Sequence, residues 1–410
     1  MTVRPDSVLE QALQRKGQLI QWRRTVHANP ELSFREFETA ELVASTLKAI
    51  PGMNVTEGVA KTGVVGTLHG APGPTLAIRA DMDALPIQEE AHHDYRSRRD
   101  GVMHACGHDA HTAILLGVAH IVAEMFDRGE VNGTVKFLFQ PAEEAADEDN
   151  LTGAPHMIRD GVLKDVDAAI ALHVSPEHPV GVFLVHDGYS MANVDVFRGV
   201  IRGTGGHAAY PHLGRDPVWM LGPFLQALYG IVARRVSPLE PAVVSVTRLH
   251  AGTASNVLPK EVVVEGTVRS YKPETREQLV KEVETAFSVV TTLGGEYSLD
   301  VFRGEPALYN DPTVNALLTE SMRELFPDCT IQYEPFGLGG EDFGHMTKKV
   351  PGAMFFLGCA RDDGVARSLH TPSFDIDENC LPIGAAILAL AAKKFLTTSK
   401  RREVVTTDRR

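Results

Sequence analysis

Thr134-Val-Lys-Phe-Leu-Phe139 and Asp167-Ala-Ala-Ile-Ala-Leu172 are near-continuous apolar runs of strand length. A strand with one wet face would alternate apolar and polar residues. Unbroken runs fit strands covered on both faces by helices, which means an α/β sheet. Working outward, Val64–Leu68 and Thr75–Arg79 read as further strands. Ala40, Val43, Ala44 and Leu47 fall at helical spacing ahead of Pro51-Gly52, and Ile114, Val118, Ile121 and Met125 repeat on one face of a helix that Gly129 ends. The same alternation returns late in the chain. There is a helix near Thr313–Leu325, strand-like runs at Thr330–Tyr333 and Ala353–Leu357, and a final helix near Asn379–Phe395.

The middle reads differently. A strand at Val194–Arg202 precedes a long apolar helix, Pro217–Arg235. Strands at Ala242–His250 and Glu261–Tyr271, a helix at Glu274–Leu293 and a strand at Glu296–Phe302 follow. That order is β-α-β-β-α-β, the ferredoxin-like arrangement. The expected architecture is therefore α/β, with a mixed sheet flanked by helices built from residues 1–189 and 304–398. An α+β domain is inserted at 190–303. The polar, charged stretch 399–410 is expected to be disordered.

A net charge of −13 over 410 residues argues against a nucleic-acid partner, because such a chain repels a phosphate backbone. It leaves small anionic substrates open. Four cysteines, none in a C-x-x-C pair, fall far short of a disulfide scaffold and point to a reducing, cytoplasmic setting. The opening MTVRPDSVLEQALQRKGQ lacks the apolar run of a secretion signal. No apolar stretch reaches the ~20 residues that span a bilayer, since Ile383–Leu396 is interrupted by Lys393 and Lys394.

Four segments carry candidate metal chemistry. Val102–His111, VMHACGHDAH, gathers three His, one Cys and one Asp ahead of a helix. Thiolate and imidazole suit zinc and similar transition metals, and Gly107 gives the C-x-H spacing the backbone freedom to aim both donors inward. A buried structural Cys beside surface histidines is the competing reading. Phe137–Glu144, FLFQPAEE, ends a strand in two adjacent acids, where α/β sheets collect their functional groups; taken alone, an acidic loop running on through Asp147, Glu148 and Asp149 is the better explanation. Ala168–His173 ends another strand in His173, and Ser368–Asp375 holds His370 ahead of the last helix. Either histidine alone is ordinary. Together the donors span positions 106 to 370, as catalytic sites do, whereas small structural zinc modules are local in sequence. Asp81 and Asp83, in the run Leu76–Pro86, sit where they can orient metal-binding histidines. In the inserted domain His207 lies in a Gly-rich turn, with Asn256 in ASNVLP and Arg269 in GTVRS, residue types that bind carboxylates or oxyanions.

Ordered along the chain, the motifs HANPELSFREFETA, RADMDALP, GVMHACGHDAH, FQPAEE, GTGGHAAYPH, ASNVLP, GTVRS, GGEDF and LHTPSFDIDE resemble the dinuclear metallo-amidohydrolases of the aminoacylase, hippurate hydrolase and indoleacetyl-amino acid hydrolase type. The resemblance implies two divalent metal ions per subunit, zinc by donor type, with manganese, cobalt or nickel as alternatives. Carried over residue by residue, Cys106, His108, Glu144, His173 and His370 are the ligands, with Cys106 bridging. Glu143 is the general base and Asp83 the acid behind the ligands. Asn256 and Arg269 are substrate-binding positions. The resemblance also implies a homodimer, or a tetramer built from it, in which His207 reaches the partner's active site. The activity implied is hydrolysis of N-acyl amino acids. Its rivals are a small-dipeptide metallo-carboxypeptidase, a deacetylase of an amino acid biosynthetic intermediate and, from another class, an enzyme using Cys106 as nucleophile. Two stretches depart from the common pattern: Ala145–Thr152 is longer and more acidic, and Glu90–Arg99, EAHHDYRSRR, differs throughout. The first would disfavour an anionic acyl group.

Overall fold

The larger sheet orders its strands Asn54–Val59, Gly63–His69, Thr134–Gln140, Thr75–Asp81, Ala168–Pro179, Gly352–Ala360, Val182–Leu184 and Thr330–Gln332. This is seen in a computed structural model that describes residues 7–398; the stretch 399–410, expected to be disordered, lies outside the described residues. The four central strands run parallel, and Gly63–His69 joins antiparallel, so the sheet is mixed. Val135, Phe137, Leu138 and Phe139 are fully buried, as are Ala169 and Ala171, which accounts for their unbroken apolar pattern. Helices His108–Asp127 and Cys380–Thr398 pack on each other and on Thr75–Asp81.

The reading that no apolar stretch reaches bilayer-spanning length is corrected here. His108–Asp127 and Cys380–Thr397 are both long and apolar enough to cross a membrane, but 78% and 72% of their most apolar stretches are buried inside the protein. They are core helices, and the charges of Cys380–Thr398 fall in its last turns.

Two compact units emerge. One comprises the described residues up to Gly188, together with Tyr309–Pro335 and His345 onward; the other comprises Tyr189–Leu308 and Phe336–Gly344. The second unit is ferredoxin-like. Its antiparallel sheet orders Ala242–Ala251, Glu261–Ser270, Asn193–Arg202 and Glu296–Arg303, with helices Pro217–Arg235 and Pro273–Thr292 packed against it. Phe197, Phe224, Leu228, Val264, Val283 and Phe287 form its core. Gly199 is required there, since a Cβ would lie 2.1 Å from the Phe287 ring. Segment Phe336–Gly344 is tied to this unit by hydrogen bonds from Phe336 N to Ser190 O, from Ala192 N to Gly339 O and from the Tyr271 hydroxyl to Gly337 O.

One buried carboxylate fixes the loop that follows Thr134–Gln140. Glu36 is fully buried; its Oε1 accepts from Phe34 N and Ala142 N, each at 2.9 Å, and its Oε2 accepts from the Thr62 hydroxyl. Phe34 and Ala142 are both left-handed, at φ 60° and 50°, so the carboxylate holds two strained residues in place. Burial, reinforced by the nearby Asp83 charge, lifts Glu36 to about 7. An unfolded glutamate titrates near 4.3. Between those values the native state holds more protons than the unfolded chain, so stability falls as pH rises through the window. Glu36→Gln should remove that fall. Denaturant unfolding at pH 5 and pH 8 should show wild type losing on the order of 2–3 kcal/mol more than the variant across the interval. Parallel losses would contradict this account.

Candidate metal centre

Parallel strands Thr75–Asp81, Thr134–Gln140 and Ala168–Pro179 deliver their carboxyl ends to one edge of the sheet. The chain leaves the first toward the second and returns on its other side to form the third, which makes a topological switch point between Thr75–Asp81 and Ala168–Pro179. Asp81 and Asp83 stand at the end of the first strand, and Glu143 and Glu144 follow the second. His173 lies on the third, opposite Phe356 of Gly352–Ala360, whose ring stacks on the imidazole with centroids 5.0 Å apart. The loop before His108–Asp127 brings Cys106 and His108.

Gly107 makes that turn. Its φ is +90°, and a Cβ would lie 2.3 Å from Val174 Cγ2, so both backbone and space demand glycine. His370 enters from the far end of the unit, at φ 60°, with its N–H donating to Ala105 O at 2.8 Å.

The donor atoms of Cys106, His108 and His173 lie within 4.8 Å of one another, as do those of Cys106, Glu144 and His370 and those of His108, Glu143 and Glu144. Cys106, His108 and Glu144 thus each belong to two of these sets. Cys106 Sγ is 3.4 Å from His173 Nε2, and Glu144 Oε1 is 3.2 Å from His370 Nε2 and 3.9 Å from His108 Nε2. The imidazoles are oriented from behind. His108 Nδ1 donates to Asp83 O at 2.8 Å, and His173 Nδ1 donates to Val174 O at 2.7 Å, leaving both Nε2 atoms turned into the cluster. His108 Nε2 and Glu144 Oε1 are buried without a hydrogen-bond partner. Buried polar atoms are almost always paired, so thiol, imidazole and carboxylate atoms converging with open lone pairs fit a transition-metal ion.

The electrostatics agree. Asp81 is paired with the buried guanidinium of Arg79, whose Nη1 is 2.7 Å from Asp81 Oδ2. Burial disfavours charge on His108, yet Asp81, Asp83 and Glu144 outweigh it and lift the imidazole to about 10. Burial, and then the charge of His111, holds His173 far below its ordinary value. Burial pushes the Cys106 thiol well up, with Glu144, Glu143 and Asp81 adding to the effect. A nucleophilic cysteine needs the opposite, an exposed thiol with a lowered pKa; here only a bound cation would make a thiolate favourable.

Asp83 organises the acids. Its Oδ1 accepts from Glu143 N and its Oδ2 from Glu144 N, both at 3.0 Å, and Ser33 Oγ donates at 2.7 Å. Sequence reading left His111 unassigned. Its Nδ1 is 2.6 Å from Asp81 Oδ1 and its Nε2 accepts from Val174 N at 3.0 Å, so both nitrogens are committed to fixing Asp81 and the His173 strand. Its i+3 spacing from His108, on the same helix face, was the available signal.

The remaining candidates lie in the second unit. His207 is exposed on the two-residue strand Gly206–His207, paired with Val257–Leu258, and Ala208 N donates to Asn256 O at 3.1 Å. His207 and Asn256 are therefore neighbours. Arg269 is half-buried on Glu261–Ser270, donating to the Thr267 hydroxyl and to Val268 O. In the acidic loop, Asp147 is taken up by Lys61 Nζ at 2.6 Å and His156 Nε2 at 2.8 Å, so the loop's free negative charge resides in Glu148 and Asp149.

Comparison with known proteins gives the same direction. Residues 77–394 match peptidase family M20/M25/M40. The chain is 39% identical over 385 residues to thermostable carboxypeptidase 2 of Saccharolobus solfataricus, covering 92% of this chain and 95% of that protein. It is 38% identical over 387 residues to N-acetylcysteine deacetylase of Bacillus subtilis, covering 93% and 98%. Among solved structures, the Bacillus subtilis YXEP protein, described as a dinuclear metal binding peptidase, superposes with a TM-score of 0.82 at 34% identity, covering 94% of this chain and 99% of that one.

Gly107→Ala should cost at least about 2 kcal/mol, because a left-handed alanine costs roughly 1–2 kcal/mol before any overlap with Val174 is relieved. It should also lower metal content, as measured by denaturant unfolding and elemental analysis of the same sample. Unchanged stability and metal would show that the turn tolerates a side chain.

Proposed function

The chain belongs to peptidase family M20/M25/M40, and from that membership we propose that it hydrolyses the amide bond of N-acyl amino acids with two divalent metal ions. The single observation that carries the reading is the pair of donor sets sharing Cys106, one completed by His108 and His173 and the other by Glu144 and His370. Cys106 is assigned as the bridging ligand. Zinc fits best, since thiolate and imidazole are present and magnesium and calcium prefer all-oxygen sites; manganese, cobalt and nickel are compatible with the same donors. The two related names, a carboxypeptidase and a deacetylase of an acetylated amino acid, share one substrate feature: an acyl group on the nitrogen of a terminal amino acid.

When bound, a pair of divalent cations supplies the Lewis acidity that makes water ionisable near neutral pH and polarises an amide carbonyl. Glu143, anchored through its backbone to Asp83, takes the proton from the attacking water and returns it to the departing nitrogen. Asp83 keeps His108 and both acids in register. His207, exposed on its Gly-rich turn, is assigned to the developing oxyanion in the partner's site, and Asn256 and Arg269 to the substrate. A homodimer through the second unit is supported by the open edge strand Ala242–Ala251 and the exposed Trp219 and Tyr229 on helix Pro217–Arg235. The free cysteines support a reducing, cytoplasmic setting.

Glu143→Gln should retain full metal content while turnover falls at least about 100-fold; normal turnover at full occupancy would remove Glu143 from the reaction. Amine release from a panel of N-acetyl amino acids, N-benzoyl amino acids and dipeptides, with metal analysis of the same preparation, tests the substrate class. The dipeptide reading, favoured by the carboxypeptidase relative, prevails if dipeptides are cut faster than every N-acyl compound. Chelation should abolish activity, and added zinc should restore it.

A further inference from the structure

A second group of donor atoms lies in the same unit, and one of them, His93, belongs to the stretch Glu90–Arg99 that departs from the family pattern. Ligand atoms of His27, Glu89 and His93 all fall within 4.8 Å of one another. His27 comes from helix Lys16–Ala28, and Glu89 and His93 from the loop after Asp83. His27 and Glu89 are fully buried, and the His93 side chain is 13% exposed.

Each donor is held in orientation from outside the cluster. His27 Nδ1 is 2.8 Å from Asp109 Oδ2, which also accepts from Arg23 Nε at 2.8 Å. A carboxylate only accepts, so His27 carries its proton on Nδ1, and in the neutral ring Nε2 is a lone pair. Its Nε2 faces Glu89 Oε1 at 3.4 Å, at the long end of a hydrogen bond. A charge-assisted hydrogen bond would be about 2.7–2.9 Å. Two ligand atoms about 2.1 Å from a common tetrahedral ion sit roughly 3.4 Å apart. Glu89 Oε2 is occupied by Ser97 N at 2.7 Å, which leaves Oε1 for the histidines.

His93 Nε2 approaches the same Oε1 to 2.9 Å, yet neither His93 nitrogen makes a hydrogen bond. The His93 ring is stacked on Tyr95, with centroids 3.8 Å apart, and Tyr95 is itself covered by the Arg23 and Arg24 guanidinium groups. His104 closes the group. It is 1% exposed, its ring lies 6.3 Å from that of His27, and neither of its nitrogens has a partner. His93 Nδ1 and both His104 nitrogens are therefore buried without a hydrogen bond beside one carboxylate, which is unusual in a protein interior.

We propose that His27, Glu89 and His93 bind one further divalent transition-metal ion, zinc by donor chemistry, separate from the pair at Cys106. The ion would pin the loop carrying Glu89 and His93 to helix Lys16–Ala28. Through the His27–Asp109 contact it also braces the first turn of the helix that carries His108.

Zinc counted by elemental analysis in the full-length protein, saturated with zinc and then desalted, tests this. Wild type should hold three equivalents per subunit. His93→Gln, at the partly exposed edge of the group, should hold two with unchanged circular dichroism, and Glu89→Gln should agree if it folds. A wild-type count that saturates at two overturns the proposal and makes His27 an imidazolium between Asp109 and Glu89. A third equivalent that persists in His93→Gln also overturns it. Cys106→Ser separates this from the hydrolytic reading: losing the catalytic pair while keeping one equivalent supports the additional ion whatever the substrate panel shows.

Discussion

The site depends on one carboxylate accepting two backbone amides. Asp83 takes the N–H groups of Glu143 and Glu144, one on each oxygen, while its own carbonyl accepts from His108. Three segments that would otherwise be independent loops therefore have one geometry. Burial opposes charge on Asp83, but His108, Ser33 and the Glu144 amide hold its pKa low. An ionised group buried this deeply persists only when every lone pair is used. The adjacent Asp81 repeats the arrangement with Arg79, His108 and His111. Donors fixed in this way need little rearrangement to close on an ion, which is what preorganisation means for a metal centre.

Glu36 extends this scaffold outward by holding Ala142 in the left-handed region immediately before the two acids. The candidate site residues are therefore placed by a hierarchy of buried carboxylates and backbone amides. The hydrophobic sheet beneath them supplies only the platform, with strand ends close enough for those short contacts to form.

Sequence patterning shows the elements whose burial is two-sided. Thr134–Gln140 and Ala168–Pro179 carry continuous apolar runs, and the β-α-β-β-α-β order of the inserted unit follows from plain strand and helix periods. Donor identity is equally legible, because Cys, His and Glu announce their chemistry. Less legible were features created by distant contacts. Helix Lys16–Ala28 has a mostly polar sequence, and its buried Arg23 and His27 are explained only by Asp109, Asp375 and Glu378. Segment Phe336–Gly344 has no period of its own and joins the second unit through isolated backbone bonds. His111 resembles a spare ligand until Asp81 and Val174 are seen to occupy both its nitrogens.

Chain discontinuity has a consequence for biogenesis. Most of the second unit is one uninterrupted stretch, Tyr189–Leu308, whereas the first unit draws on both ends of the polypeptide. Helix Cys380–Thr398, which packs on His108–Asp127, Pro312–Leu325 and Val8–Gln14, is synthesised after the other described elements. During translation the ferredoxin-like sheet can settle early, while the larger mixed sheet waits with one wall missing until helix Cys380–Thr398 has left the ribosome. For that interval its apolar strands stand open, making this half of the molecule the one that most needs protection by chaperones as it is made.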